Sequence, residues 1–467
     1  KLVMDVEEAV TKLQDVLGLS QDYLRKRLKR GGRFVWIKRH LTPEKAYAVN
    51  SLGLPGLGFR EETVRVYPQQ RLAAHVLGAV NVDGKGQAGV EATQNTILRR
   101  GDDVHLTLDV RLQQQLEYTL AETFEESDAK GVWGMVSDPA TGEILAMASF
   151  PDFDPNQYGQ FGPDQWLNRN LHSVQEMGST FKAITLAQAV DEGAADLSTT
   201  FDCRFPLQVG RFTIRDFHPR GGHMTAKEIF THSSNIGAAQ IADVIGGDRQ
   251  RSFFGQLNLL TALDNTGLRQ TSQPLYSDRW GRIQAMTRSY GHGIAVTAMH
   301  MIGAINTLVY DGQYRTPYVV KGLERNPPMP VIKAETVTKV RELMRNVVHE
   351  GSGRRAALVG YDIGGKTGTA EKPDAGSYST SKNVASFVGA VPLDDPRLVG
   401  IIMVDEGKSG YNRGGLVAAP AFGRLIKRIV PIMGIEPALM PEELRTASFK
   451  EIFVDHVAEL TSEPRHR

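Results

Sequence analysis

The larger part of the sequence predicts an α+β fold, with an antiparallel sheet assembled from both ends of that part and helices between them. Two hairpins and the stretch separating them carry the prediction. The first hairpin pairs 131–137 with 143–149 across Asp138-Pro139-Ala140-Thr141-Gly142, which has sound turn chemistry. The second pairs 385–391 with 398–404 across Leu393-Asp394-Asp395-Pro396-Arg397. Between them, 182–190, 226–246 and 295–310 are mostly helical in pattern.

Taken in order, residues 1–105 are a mix of short helices and strands punctuated at Gly31-Gly32, 53–58 and 84–89. This stretch lacks the density of His, Ser, Asp and Gly that a catalytic site needs, so it predicts a mixed α/β structural or docking module. From Gly101 the texture changes. Residues 104–108 read as a strand, and 109–124 as an amphipathic helix with Val110, Leu112, Leu116 and Leu120 on one face. The expected domains are therefore 1–105 and 106–467, with a helical appendage at 434–467.

Composition narrows the function classes. The chain has 467 residues, with 54 Lys and Arg against 53 Asp and Glu. That balance argues against a nucleic-acid binder. The basic cluster Arg25-Lys26-Arg27-Leu28-Lys29-Arg30 reads as a solvated helix face. Cys203 is the single cysteine, which excludes an intramolecular disulfide and a multi-cysteine zinc site. No run approaches the ~18 apolar residues of a membrane span. The chain opens without Met, inside a helical pattern of Val3, Val6, Ala9, Val10 and Leu13. A preceding piece, with any anchor it carries, is therefore expected.

Three short motifs carry chemistry. Ser179-Thr180-Phe181-Lys182 opens a helix, and its i, i+3 spacing puts the hydroxyl and the amine on one face. A desolvated lysine can act as the base a serine nucleophile needs, although serine before a helix is also a common cap. Ser233-Ser234-Asn235 follows, offering a relay hydroxyl and a carboxamide, or simply a polar turn. Lys366-Thr367-Gly368-Thr369 comes after Ile363-Gly364-Gly365. There glycine permits close backbone approach to an extended substrate, or merely makes a turn before a strand.

In this order the three motifs are a known signature of penicillin-binding proteins and class A β-lactamases. The chain resembles a class B penicillin-binding protein, a monofunctional peptidoglycan transpeptidase. Further likeness lies in Gly89-Val90-Glu91, Leu106-Thr107-Leu108-Asp109, the 138–149 segment, Gly291-His292-Gly293-Ile294-Ala295-Val296-Thr297 and 347–353. The resemblance implies a serine β-lactamase-like catalytic domain behind an N-terminal pedestal, with no cofactor. It implies that Ser179 attacks the penultimate D-Ala carbonyl of a stem peptide, with Lys182 as base, Ser233 as relay and Asn235 holding the donor amide. Lys366, Thr367, Gly368 and Thr369 would shape the pocket, with Thr367 and Thr369 meeting the terminal carboxylate. The backbone N–H groups of Ser179 and Thr369 would form the oxyanion hole, and β-lactams would acylate the same serine. Met177 and Ser352 depart from the family's usual residues and, by motif position, are expected to touch no catalytic atom.

Other readings fit the residues less well. A β-lactamase needs a deacylating base. Glu342 and Asn346 have that spacing, but they sit in the helical period of 334–350. A non-catalytic β-lactam sensor would carry the same acylating triad with little in front of it, and a division scaffold that had lost catalysis would show a broken triad, whereas this one is intact. Asp202, Cys203, Asp216, His218 and His223 fit no standard zinc spacing, so no metal is expected. Residues 200–203 and 212–218 resemble the division branch more than the elongation branch. The implied setting is a single-pass inner-membrane protein with its catalytic domain in the periplasm or outside. Its implied partners are division-machinery membrane proteins, including a glycan-polymerising glycosyltransferase.

Overall fold

Gly131–Ser137 (β1) is buried along its whole length, which a strand achieves only when both faces of its sheet are covered. Ile144–Phe150 (β2) returns beside it. Far along the chain, Gly364–Asp374 (β3), Ser377–Val391 (β4) and Leu398–Asp405 (β5) complete a five-stranded sheet of order β3-β4-β5-β1-β2. Every neighbouring pair is antiparallel, and the β1–β5 register from Gly131↔Asp405 to Ser137↔Val399 joins the two hairpins. This computed structural model describes residues 5–30, 32–374, 377–408 and 410–437.

The period of two sorts the strand residues onto two cores. Trp133, Met135, Val388, Ile401 and Met403 join the core on the helical side. Val132, Val136, Phe387, Ile402 and Val404 meet Leu112, Leu116 and Leu120 of the helix Val110–Ser127 and Phe422, Leu425 and Ile429 of Ala418–Ile429. On the helical side lie Lys182–Asp191, Ala298–Val309 and Ala334–His349. Every residue of Ala298–Val309 is buried, and its polar side chains find partners inside the core, although among the described residues Asn306 Nδ2 has none. Asn306 Oδ1 accepts from Ser137 Oγ at 2.9 Å, and His300 Nε2 lies 3.0 Å from the Thr261 carbonyl.

Three elements differ from expectation. Residues 104–108 form no strand: Leu106 makes one isolated bridge to Val320, while Thr107 N donates to Val319 O and Asp109 N to Leu145 O. The apolar alternation is real, but the segment threads between two different partners and builds no ladder. The helical stretch 226–246 is two helices, Ala226–His232 and Asn235–Ile245, separated at Ser233. The stretch 295–310 begins as a strand, Ile294–Val296, paired with Gln175–Glu176 and Leu275–Tyr276, and turns helical only at Ala298.

The chain divides into two compact units, the first ending at Pro68 and the second beginning at Gln69. The first holds the helices Val6–Leu17, Gln21–Leu28 and Pro43–Ser51, capped by Asp5, Ser20 and Thr42. Ala9, Val10, Leu13, Leu17, Leu24 and Val49 form its core. Its basic cluster lies on a helix face, with Arg25 and Lys29 both paired to Glu7. In the second unit, residues leading to the catalytic fold are pinned by Thr93 Oγ1 donating to Gly267 O at 2.8 Å. Among the described residues no helix is long and apolar enough to cross a membrane. Val3 and most of the appendage expected at 434–467 lie outside the described residues.

Candidate active site

Gly178–Phe181 is a single 3-10 turn that runs straight into the helix Lys182–Asp191. From Met177 to Ala189, Ser179 alone keeps partial access to solvent. Its hydroxyl is not spent as a cap: Ser179 Oγ lies 2.8 Å from Lys182 Nζ. Lys182 is fully buried. Its amine also meets Asn235 Oδ1 at 2.7 Å, Ser233 O at 3.1 Å and Ser233 Oγ at 3.2 Å. Burial first, and the nearby Lys366 charge second, hold its pKa well below the usual lysine value, while Asp216 acts in the opposite direction.

The second motif exists because the helix breaks. Ser233 takes a left-handed conformation, φ 62° and ψ 41°, which an L-residue adopts only under local constraint. Asp216 supplies part of that constraint. Its carboxylate accepts from Ser234 Oγ at 2.7 Å, Asn235 N at 2.6 Å and Ile236 N at 2.9 Å, satisfying donors that open the helix Asn235–Ile245. Asn235 Nδ2 donates to Arg215 O at 3.1 Å, so its Oδ1 is turned towards Lys182. Cys203 is buried, with its sulfur 3.7 Å from Ser234 Oγ, and Asp202 is paired with Arg204. Among the described residues no three His, Cys, Asp or Glu side chains are placed to hold a metal ion.

The third motif lies on β3, an outer strand of the sheet. Lys366 Nζ reaches Ser233 Oγ at 3.1 Å, and burial pushes this lysine down to about 7. Gly368 permits close packing: a Cβ there would come within 2.7 Å of Met177 O. Gly178, with φ +53°, brings its backbone against the Thr369 carbonyl, so the Ser179 and Thr369 backbones lie side by side. The three motifs thus meet in one cluster.

Ser352 corrects one expectation. Its Oγ lies 2.5 Å from Thr367 Oγ1, so the residue that departs from the usual pattern touches the third motif directly. Glu342 pairs with Lys227 at 2.9 Å on the Ala334–His349 helix. Sequence reasoning did not single out Gly414, whose N–H donates to Thr369 Oγ1 at 3.1 Å. Asp216 entered only as a possible metal ligand and as part of the 212–218 segment that resembles the division branch. The Gly414-Gly415 pair was the sole local signal for the first, and none marked the capping role of the second.

The penicillin binding protein transpeptidase domain family matches residues 133–427, and the penicillin-binding protein dimerisation domain family matches residues 2–106. The chain is 40% identical over 418 residues to the probable peptidoglycan D,D-transpeptidase FtsI of Caulobacter vibrioides, covering 85% of this chain and 71% of that one. It is 28% identical over 459 residues to the peptidoglycan D,D-transpeptidase FtsI of Escherichia coli, covering 91% and 77%. Among solved structures, penicillin-binding protein 3 from Mycobacterium tuberculosis, complexed with aztreonam, superposes with a TM-score of 0.74 at 28% identity, covering 80% of this chain and 91% of that one. On these grounds the chain belongs to the penicillin-binding protein transpeptidases, as a class B serine peptidoglycan D,D-transpeptidase of FtsI type.

Proposed function

We propose that the chain cross-links stem peptides during cell division through an acyl-enzyme on Ser179. The observation that carries this reading is the buried amine of Lys182, held 2.8 Å from Ser179 Oγ and kept below the usual lysine pKa. Ser179 Oγ attacks the penultimate D-Ala carbonyl, and its proton passes to neutral Lys182. The oxyanion settles between the N–H groups of Ser179 and Thr369. Collapse breaks the C–N bond, and the proton travels through Ser233 to the departing D-Ala amine. Asn235 holds the donor amide, Thr367 and Thr369 meet its carboxylate, and Lys366 orients Ser233. Gly368 keeps the strand close enough for the donor to lie along it. An acceptor amine then attacks the ester, forming the cross-link and freeing Ser179.

In this reading residues 1–105 are the pedestal and 106–467 the catalytic domain, a division supported by the dimerisation-family match over residues 2–106. A membrane anchor precedes residue 1, and the catalytic domain faces the periplasm or outer surface. The pedestal meets division-machinery membrane proteins, including a glycan-polymerising glycosyltransferase. The test of the chemistry supplies a pentapeptide donor and an amine acceptor, then measures D-Ala release and cross-linked product together. The unsubstituted protein should give both in equal amount, and Ser179→Ala and Lys182→Ala neither. D-Ala release with hydrolysed donor alone would make it a carboxypeptidase.

A further inference from the structure

We propose that Arg413 binds the donor's terminal carboxylate, held ready for it by stacking on Phe217. The inference rests on the Ser179 reading above and adds a residue to it. Arg413 is exposed, with its guanidinium carbon 4.7 Å from the centre of the Phe217 ring. Its backbone is fixed, because its carbonyl accepts from Leu416 N at 2.9 Å and Val417 N at 3.1 Å. The next residue, Gly414, donates to Thr369 Oγ1, and a Cβ on Gly415 would sit 4.0 Å from Thr367 Cγ2. Phe217 follows Asp216, which is bonded to the second motif. The stack therefore joins the segment whose next residue bonds the third motif to the segment whose preceding residue bonds the second.

Chemistry favours a planar anion there. Stacking occupies the face of a guanidinium and leaves its in-plane N–H donors for a bidentate carboxylate. Among the described residues, the Arg413 guanidinium has no hydrogen bond or ion pair; the Phe217 ring is its partner. Thr367 and Thr369 offer only neutral hydroxyls. Lys366, the cation of that motif, is buried and bonded to Ser233 Oγ and Thr367 O. Arg413 supplies the charge that a carboxylate needs on leaving water.

The test compares acylation by a penicillin with acylation by its neutral methyl ester, on the full chain and on Arg413→Gln, Arg413→Lys and Phe217→Leu. The unsubstituted protein should prefer the acid, and Arg413→Gln should lower that preference about tenfold with the ester rate unchanged. Arg413→Lys and Phe217→Leu should fall between. A thioester donor carrying a side-chain carboxylate but an amidated C-terminus should react no better than its neutral counterpart. If that donor shows the Arg413 dependence instead, the assignment to the terminal carboxylate is overturned. Equal losses for acid and ester would mark Arg413 as structural and overturn the inference alone. No adduct on the unsubstituted protein would overturn the Ser179 reading as well.

Discussion

Lys182 and Lys366 converge on one hydroxyl: Ser233 Oγ lies 3.2 Å from the first amine and 3.1 Å from the second. Both lysines are buried. A hydroxyl has one proton to give and two lone pairs to receive. Ser233 can therefore accept from a protonated Lys366 while donating to a neutral Lys182. Two ammonium groups would repel across it with little water to screen them. The arrangement favours one charge over two, and it favours Lys182 as the neutral partner.

This predicts a pH profile. Acylation by a penicillin should fall as pH drops through the range in which Lys182 takes up a proton. Burial and Lys366 hold that range below the usual lysine value. Lys366→Met removes the neighbouring charge, so Lys182 should protonate more readily. The acid limb should then move to higher pH, as stopped-flow acylation across a pH series would read. A limb that stays in place contradicts the coupling.

Asp216 should act through Asn235. Asp216→Ala removes three hydrogen bonds at the start of the helix Asn235–Ile245 and loosens the helix start that presents Asn235 Oδ1 to Lys182. Acylation should slow about tenfold or more, and stability should fall by about 1–2 kcal/mol. Asp216→Asn retains one acceptor oxygen for the backbone donors and should lie between. Unchanged acylation in Asp216→Ala would remove this aspartate from the account.

Gly414 should tolerate no side chain. A Cβ there would run into the Gly368 carbonyl and come within 2.5 Å of the Ser386 carbonyl, both on paired strands that cannot retreat. Gly414→Ala should destabilise by about 1–3 kcal/mol and slow acylation, because the displaced segment bonds Thr369. Thermal melts and acylation rates check the two effects together.

Glu117 predicts a stability change of opposite pH sense to an ordinary paired carboxylate. It accepts from Ala73 N at 2.7 Å and Gln113 Nε2 at 2.8 Å, and burial pushes it up from 4.5 to about 7. The folded state thus holds a proton that the unfolded chain releases between those values. Its stabilising contribution is full below 4.5 and is lost as pH rises through about 7. Glu117→Gln should match the parent near pH 4 and melt higher at pH 8. A constant difference at both would contradict this.

Glu342 should be silent in catalysis. Its carboxylate is paired with Lys227, so Glu342→Ala should leave the lifetime of a penicillin adduct unchanged. A markedly longer-lived adduct would give it a hydrolytic role.

The sheet was legible because two hairpins, each with its turn residues between two short strands, stand at the two ends of the catalytic part of the chain. The three motifs were legible because their residue types announce their chemistry. The motif at Ser233-Ser234-Asn235 was legible as a cap or polar turn between two segments of helical period, but what holds the break open was not. The carboxylate that stabilises the new helix start comes from a loop distant in sequence. Ser352 and Gly414 were hidden for the same reason: each matters through a contact between separate segments. The run 104–108 misled because alternation specifies a two-faced segment without specifying a ladder partner.

The most direct test of the account is intact-protein mass after brief exposure to a penicillin, followed over hours for the parent chain and for Ser179→Ala. The account predicts a stable gain of one drug mass on the parent and none on the variant. An adduct that persists in Ser179→Ala, or none on the parent, would contradict it.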